Sequence, residues 1–213
     1  KMPILMPISR ALLCVFSTMF NRRIAKVSSK LTDTVVSGLG GRAAFPLRNR
    51  LFRLAWMITW TLLASYSPPQ MRAWRRGLLR AFGARVDATA SVRGSAKVWY
   101  PPNLILGPGS SIGPRAKIYN IDLIEIGAGT IVSQDVHLCT ASHDFRNQAF
   151  QLTSRPIRIG NNVWIAAESF VGPGVTVADG AILGARAAAF ADLPPWTIYR
   201  GNPAKAVKQR QHF

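Results

Sequence analysis

The stretch IGNNVWIAAESFVGPGVTVADGAILG, residues 159–184, carries an aliphatic residue at every sixth position. The same spacing runs from residue 86 to residue 193 and slips by two residues near Pro102 and Asp122. The aliphatic positions are Val86, Val92, Val98, Leu106, Ile112, Ile118, Ile126, Val132, Leu138, Ile159, Ile165, Val171, Val177 and Leu183. Hexapeptide repetition of this kind is the signature of a parallel β-helix, in which short strands alternate with tight turns and successive coils stack on one another.

The repeat has a direct physical interpretation. Each short strand places one aliphatic side chain inside a narrow prism, where β-branched residues fit well. Four residues later most repeats carry a small side chain or valine for a tight corner, Ser142 among them. A β-sandwich is the alternative, but its strands alternate with period two rather than six. We therefore predict an all-β fold, a parallel β-helix over residues 86–200, preceded by an N-terminal helical segment.

Basic residues are concentrated before the repeats. Residues 1–85 hold 15 of the 27 lysines and arginines and one acid, a net charge of +14, whereas residues 86–213 carry +4. The chain lacks a recognition-helix pattern, and its basic residues are mixed with Leu, Trp, Phe and Met, so an anionic membrane surface is a better partner than nucleic acid. We predict no nucleic-acid partner.

Residues 46–85 are predicted to form two helices. The first, over residues 49–66, has roughly a dozen apolar residues, whereas a membrane span needs about 20. The second, over residues 70–82, is amphipathic, and Arg72, Arg76 and Arg80 share one of its faces. Its apolar face holds Met71, Trp74, Leu78 and Phe82. We expect this segment to cover the open end of the β-helix, with membrane contact as an additional role.

The remaining segments divide the chain further. Residues 1–45 form an uninformative N-terminal extension that has the charged and apolar parts of a signal sequence but no convincing cleavage site. A loop over residues 142–157 interrupts the repeats, and residues 201–213 form a C-terminal tail. Cys14 and Cys139 lie far apart, which excludes a disulfide framework and favours a reducing cytosol.

His143 is the best candidate for a catalytic residue. It begins the interrupting loop, so it lies at the end of a fixed strand, where a general base could meet a substrate, and histidine exchanges protons near neutral pH. His137 is expected to face solvent and His212 lies in the tail. Taken alone, a single loop histidine is more often structural or incidental than catalytic. No metal is expected, because no third ligand accompanies His137 and His143.

Several short motifs together resemble one family. They are IGNNVWI at residues 159–165, VGPGVT at 171–176, DLPPW at 192–196, GNPA at 201–204, WYPPNL at 99–104 and SHDF at 142–145. They are similar to the hexapeptide-repeat acyltransferases, most of all to the colanic-acid-biosynthesis type of acetyltransferase, over roughly residues 47–210. This resemblance implies a left-handed β-helix, a homotrimer with active sites between subunits, and acetyl-CoA as the donor.

The resemblance also implies an activity, O-acetylation of a saccharide hydroxyl in surface polysaccharide or glycolipid synthesis, in the cytoplasm or at the inner face of the membrane. His143 matches the catalytic histidine of the family. Asn120 matches a residue near the acceptor, Trp164 matches a wall of the site, and Asp144 is expected to set the loop. The backbone N–H groups near Ala166 and Ala167 are expected to hold the developing oxyanion.

For the donor, the resemblance places Ala185 beside the pantetheine arm and Lys205 and Lys208 near the nucleotide phosphates, where positive charge is required. Relatives commonly carry Thr-Lys where this chain has Phe190-Ala191, and Arg186 is expected to supply the missing cation. Two alternatives stay open. The chain could be a catalytically silent trimeric scaffold at the membrane, or its acceptor could be an amine or another non-sugar molecule.

Overall fold

Three parallel β-sheets form the sides of a prism. The computed structural model describes residues 45–146 and 148–211; the predicted extension up to residue 44, and His212, lie outside them. The first face contains β1 (Arg85–Val86), β4 (Leu104–Leu106), β7 (Ile124–Ile126), β12 (Ile157–Ile159) and β15 (Thr176–Val177). The chain visits the three faces in turn, as the hexapeptide repeat predicts.

The other two faces have the same construction. The second contains β2 (Ser91–Val92), β5 (Ser111–Ile112), β8 (Ile131–Val132), β13 (Trp164–Ile165), β16 (Ile182–Leu183), β18 (Thr197–Arg200) and β19 (Lys205–Gln209). The third contains β3 (Lys97–Val98), β6 (Lys117–Tyr119), β9 (His137–Cys139), β14 (Phe170–Val171) and β17 (Ala188–Ala189). Only β19 is antiparallel to its neighbour within these sheets, and it closes the C-terminal edge of the second face.

The interior confirms the period. Every aliphatic position of the repeat is buried in one continuous hydrophobic core, and burying each such side chain contributes about 1.5–3 kcal/mol. The count slips by two where a 3-10 helix, Pro101–Asn103, occupies one corner and where a bend around Asp122 occupies the next. Ser142 is the exception among the predicted corner residues, because it is exposed on a hairpin.

Two helices precede the first coil: α1 (Leu47–Leu63) and α2 (Arg72–Ala81). The face predicted for α2 is partly wrong. Arg75 and Leu79 are its buried residues, whereas Met71 and Trp74 are exposed. The reason lies in what the helix covers, since Leu79 joins the hydrophobic core while Arg75 is buried against backbone oxygen atoms.

One set of the hydrogen bonds between coils joins an N–H of one coil to a carbonyl oxygen of the next. The Asp87 N–H donates to the Leu106 carbonyl oxygen at 2.9 Å, and the Lys97 N–H donates to the Ala116 carbonyl oxygen at 2.8 Å. In this set, each coil offers carbonyl oxygens to the coil before it. The first coil has no such neighbour, and carbonyl groups left buried without a donor would be costly.

Side chains of α1 and α2 supply the missing donors. Two tryptophans of α1 donate to the first coil, Trp56 Nε1 to Val98 O at 2.7 Å and Trp60 Nε1 to both Gly94 O and Ala96 O at 2.9 Å. Three arginines of α2 do the same: Arg75 Nε to Val92 O at 2.7 Å, Arg76 Nη1 to Ala90 O at 3.0 Å, and Arg80 Nε to Val86 O at 2.8 Å. We call these five donors the arginine–tryptophan cap.

Arg75 is the centre of this cap. Its side chain is 0% exposed. Its guanidinium also donates to Ser67 Oγ at 2.7 Å and to the carbonyl oxygens of Pro68 and Pro69 at 2.8 Å each, so it fixes the turn between the helices. Burial, and then the nearby charge of Arg93, lower the pKa of Arg75 from its usual value, but an arginine stays protonated in proteins.

The outer side of α1 is apolar and exposed. Leu47, Leu51, Leu54, Ile58 and Leu62 recur at helical spacing there, and we call them the α1 stripe. Within the described residues, neither helix has the length and hydropathy of a membrane span.

Replacing the buried guanidinium tests the cap. Arg75→Met should lower the free energy of unfolding by roughly 2–4 kcal/mol, because it removes the donors to Val92 O and Pro69 O. Arg72→Met, an exposed arginine of the same helix, should change it by about 0.5 kcal/mol or less. Denaturation of both variants in guanidinium chloride measures the difference. Equal stabilities would show that the cap contributes nothing.

Candidate active site

The segment that interrupts the repeats is an ordered β-hairpin. Strands β10 (Ala141–His143) and β11 (Leu152–Ser154) pair antiparallel, with His143 opposite Leu152. After the hairpin, the Arg155 N–H donates to Thr140 O at 2.9 Å and returns the chain to the prism. The sequence predicts only a loop here, because the hexapeptide repeat stops. The two strands of the hairpin do not follow the six-residue period of the coils.

The hairpin fixes the orientation of His143. His143 Nδ1 lies 2.6 Å from the carbonyl oxygen of Phe150. A carbonyl oxygen can only accept a hydrogen bond, so Nδ1 carries the proton and Nε2 of the neutral ring has a free lone pair. Sequence reasoning missed this partner, because a backbone carbonyl leaves no mark in the sequence.

Phe150 has an unusual backbone conformation. Its φ is +43°, in the left-handed region that residues other than glycine seldom adopt. Strained residues of this kind tend to occur at functional sites, where surrounding structure holds them. Here the strained residue is the one whose carbonyl oxygen receives the imidazole proton.

A cavity of about 350 Å³ lies beside His143. Its walls come from the hairpin and from Pro173, and they include Asp144, Arg146 and Arg155. The Asp144 carboxylate accepts a hydrogen bond from the Arg146 N–H at 3.0 Å, so it shapes the turn. Arg155 was not predicted, and it brings a cation to the cavity wall.

Trp164 lies on the second face rather than in this cavity. Its side chain is 46% exposed, and its Nε1 donates to Ser133 Oγ at 3.0 Å, which holds the indole across the neighbouring coil. Trp164 is flanked in register by Ile131 and Ile182. Within the described part of one chain, His143 and Trp164 therefore belong to different surfaces.

The two predicted oxyanion donors differ. The Ala166 N–H donates to Leu183 O at 2.8 Å as part of the stacking of coils, so it is not free for an oxyanion. The Ala167 N–H has no acceptor among the described residues. The geometry leaves Ala167 as the one candidate of the pair.

Arg186 does not provide the free cation expected of it. It lies in an exposed turn with Ala185, and its guanidinium binds Glu168 with Nε–Oε2 at 2.8 Å and Nη2–Oε1 at 3.4 Å. The hydrogen bond and the charge of Glu168 raise the pKa of Arg186. Arg186 therefore does not replace the cation that is missing at Phe190 and Ala191.

Lys205 and Lys208 lie on the same side of β19. In an ordinary strand, residues three apart face opposite ways, but this strand has a register shift. Lys205 is opposite Arg200 and Lys208 is opposite Ile198, and these partners are two residues apart on β18. The two lysines and Arg200, which sequence reasoning missed, therefore form one exposed basic surface.

Asn120 is buried within a corner of the prism. It is 0% exposed, its Nδ2 donates to Tyr100 O at 2.8 Å, and its Oδ1 accepts from the Tyr100 N–H at 3.0 Å. Both polar ends of the amide are thus occupied by the preceding coil. This contradicts the expected contact with an acceptor, and Asn120 holds the corner instead.

His137 lies on the third face, partly buried against Phe170. It was expected to face solvent, but the two rings are 5.5 Å apart in an edge-to-face arrangement. Burial, and then the charge of Lys117, lower the pKa of His137. Residues 45–146 and 148–211 contain no cluster of three His, Cys, Asp or Glu that could hold a metal ion.

The chain is similar in sequence to known acetyltransferases. It is 40% identical over 158 residues to WcaF of Escherichia coli K12, which is named as a colanic acid biosynthesis acetyltransferase, and the match covers 74% of this chain and 86% of WcaF. No protein-family model matches the chain.

Solved structures share its fold. A maltose O-acetyltransferase from Clostridium difficile 630 has a TM-score of 0.73 at 24% identity, covering 87% of this chain and 97% of that one. A hexapeptide-repeat acetyltransferase from Vibrio cholerae, complexed with acetyl coenzyme A, has a TM-score of 0.72 at 21% identity, covering 80% and 93%. These likenesses confirm the predicted left-handed parallel β-helix.

Proposed function

Because the chain belongs to the hexapeptide-repeat acyltransferases, close in sequence to a colanic acid biosynthesis acetyltransferase, we propose that it moves the acetyl group of acetyl-CoA to a hydroxyl of a saccharide. The observation that carries this proposal is the 2.6 Å contact between His143 Nδ1 and Phe150 O, which leaves Nε2 free to act as a base. The names of the relatives support the donor and the saccharide class.

The proposed reaction is a direct transfer. Nε2 of His143 takes the proton of the acceptor hydroxyl while the hydroxyl oxygen attacks the carbonyl carbon of the thioester. The carbonyl oxygen becomes an oxyanion, for which the Ala167 N–H is a candidate donor. When the carbon–sulfur bond breaks, His143 returns the proton to the departing sulfur, so CoA leaves as the thiol. Phe150 O stabilises the imidazolium while it exists.

The arrangement of predicted residues supports a site shared between subunits. His143 and Asp144 line one cavity, whereas Trp164, Ala167 and the basic surface belong to other parts of the prism. We propose a homotrimer in which these surfaces of neighbouring subunits meet. A single chain would then hold the base and only part of the donor site.

The base is tested by substitution. His143→Gln should lower kcat by about 10²–10⁴-fold, because the amide cannot take the hydroxyl proton. The KM for acetyl-CoA should change little, since the side chain does not hold the donor in this proposal. Release of free CoA in the presence of saccharide acceptors measures both. Undiminished turnover in this variant would rule out His143 as the base.

The basic surface is tested with two donors. Changing Lys205→Gln together with Lys208→Gln should raise the KM for acetyl-CoA about tenfold or more, because two contacts to the nucleotide phosphates are lost. Acetyl-pantetheine, which lacks the nucleotide, should show no such rise. An equal effect on both donors would contradict the assignment. If the unmodified protein binds no acetyl-CoA, a catalytically silent scaffold is the better account.

We also propose that the α1 stripe rests on an anionic membrane surface. The stripe is flanked by the exposed Arg48 and Arg50, and residues 34–86 contain no Asp or Glu. An apolar helix face bordered by cations is the pattern of an interfacial helix. This would place the enzyme at the inner face of the membrane.

Vesicle binding tests this contact. Leu51→Glu combined with Ile58→Glu should reduce binding to phosphatidylglycerol vesicles about tenfold or more, since two apolar side chains no longer enter the interface. Ile131→Glu, an exposed isoleucine on the second face, is the matched control. Unaltered binding by the double variant would show that the stripe does not meet the membrane.

A further inference from the structure

A second cavity lies between α1 and the third face of the prism. Its volume is about 550 Å³, and it is separate from the cavity beside His143. Trp56, Met57 and Trp60 form the wall on the α1 side, and Trp99 and Tyr119 form the wall on the prism side. We call it the third-face groove. Aromatic walls with a few polar groups are typical of small-molecule sites.

The polar groups of the groove are all basic or neutral. Arg53, Lys97, Lys117 and His137 line it, and no Asp or Glu is among its lining residues. The Arg53 guanidinium lies 4.3 Å from the centre of the Trp99 ring, so its position is fixed. Lys97 and Lys117 are exposed, and no carboxylate of residues 45–146 or 148–211 lies within salt-bridge distance of either.

Three of these groups are stacked. Lys97 is directly opposite Lys117, and Lys117 is directly opposite His137, on strands about 4.8 Å apart. Like charges placed opposite one another destabilise a sheet unless something compensates them. The first face shows the other arrangement, since there Glu125 is opposite Arg158.

The carboxylate of Asp135, which feels the charge of Lys117, is already engaged. Asp135 lies close enough to Lys117 for that charge to contribute to lowering the Asp135 pKa, but the larger cause is its hydrogen bond to Arg115. The two side chains form a bidentate pair with distances of 2.6 and 2.9 Å. Asp135 therefore leaves most of the charge of the stacked lysines uncompensated.

The groove is also close to His143 along the chain. Strand β9 carries His137 of the groove, and His143 follows six residues later on β10, a Cα separation of at most about 22 Å. The groove and the base therefore belong to consecutive strands of the chain, β9 and β10.

We infer that the third-face groove binds an anionic phosphate group of the acceptor, with Lys97 and Lys117 as its ligands and the aromatic walls around the attached sugar. This rests on the proposed function for the identity of the acceptor, but the phosphate site itself does not depend on catalysis. The chemistry fits a saccharide that carries a phosphate or diphosphate ester, whether soluble or attached to a lipid.

Inorganic pyrophosphate is the probe for the site. Calorimetry should show that Lys97→Gln combined with Lys117→Gln weakens pyrophosphate binding about tenfold or more. The corresponding change of both residues to Arg should restore it, because the charge returns. Arg158→Gln, which removes a cation at an equivalent position of the first face, should have no effect. Binding that is the same in the Gln double variant, or absent from the unmodified protein, overturns the phosphate site.

Acetyl transfer then identifies the acceptor class. Glucose 1-phosphate should be a better acceptor than glucose, and the Gln double variant should lose this preference without a change in the KM for acetyl-CoA. A second experiment measures acetyl transfer to vesicles that contain a polyprenyl-diphosphate saccharide. Faster transfer to these vesicles than to the soluble sugar phosphate identifies a lipid-linked saccharide as the acceptor. Pyrophosphate binding without any acetyl transfer would contradict the proposed function while retaining the site. An equal rate with glucose and both phosphorylated acceptors overturns the link to the acceptor.

Discussion

The whole prism depends on satisfying one row of backbone oxygen atoms. In each coil of this β-helix one set of carbonyl oxygens accepts hydrogen bonds from the coil before it, and the first coil has no such neighbour. The arginine–tryptophan cap closes that end with indole and guanidinium donors instead of another strand. Because a sheet edge left open invites pairing with other chains, the cap keeps the solenoid discrete as well as stable.

The same interaction uses three of the basic residues that precede the repeats. Positive charge there first suggests a polyanionic partner, but Arg75, Arg76 and Arg80 donate hydrogen bonds to carbonyl groups of the protein itself. Among the described residues, other cationic groups lie along the border of the α1 stripe, on β19 and in the third-face groove. The net charge alone does not distinguish arginines that bind the protein's own carbonyl groups from cations that are exposed to a ligand or a membrane.

The β-helix could be predicted from the sequence because its period is strict, and every repeat position in the described region lies in the core. The buried face of α2 could not, since apolar patterning assumes an apolar partner, and Arg75 is buried against oxygen atoms. Likewise the resemblance matched Asn120 to a residue near the acceptor, yet its amide is occupied by the backbone of Tyr100. Resemblance identified His143, but Phe150 O is a main-chain atom, and only the folded hairpin brings it there.

Because His143 is oriented by a main-chain oxygen, the hairpin can orient the base independently of the surface chemistry of its turn. The tautomer of His143 depends on the main-chain carbonyl oxygen of Phe150, and not on the side chain of that residue. The turn can therefore change its surface chemistry, and with it the molecules it admits, while the base keeps its lone pair. A change of hairpin length would move the carbonyl oxygen of Phe150 away from His143 Nδ1. The base would then lose the partner that fixes its tautomer, although every side chain of the site would still be present.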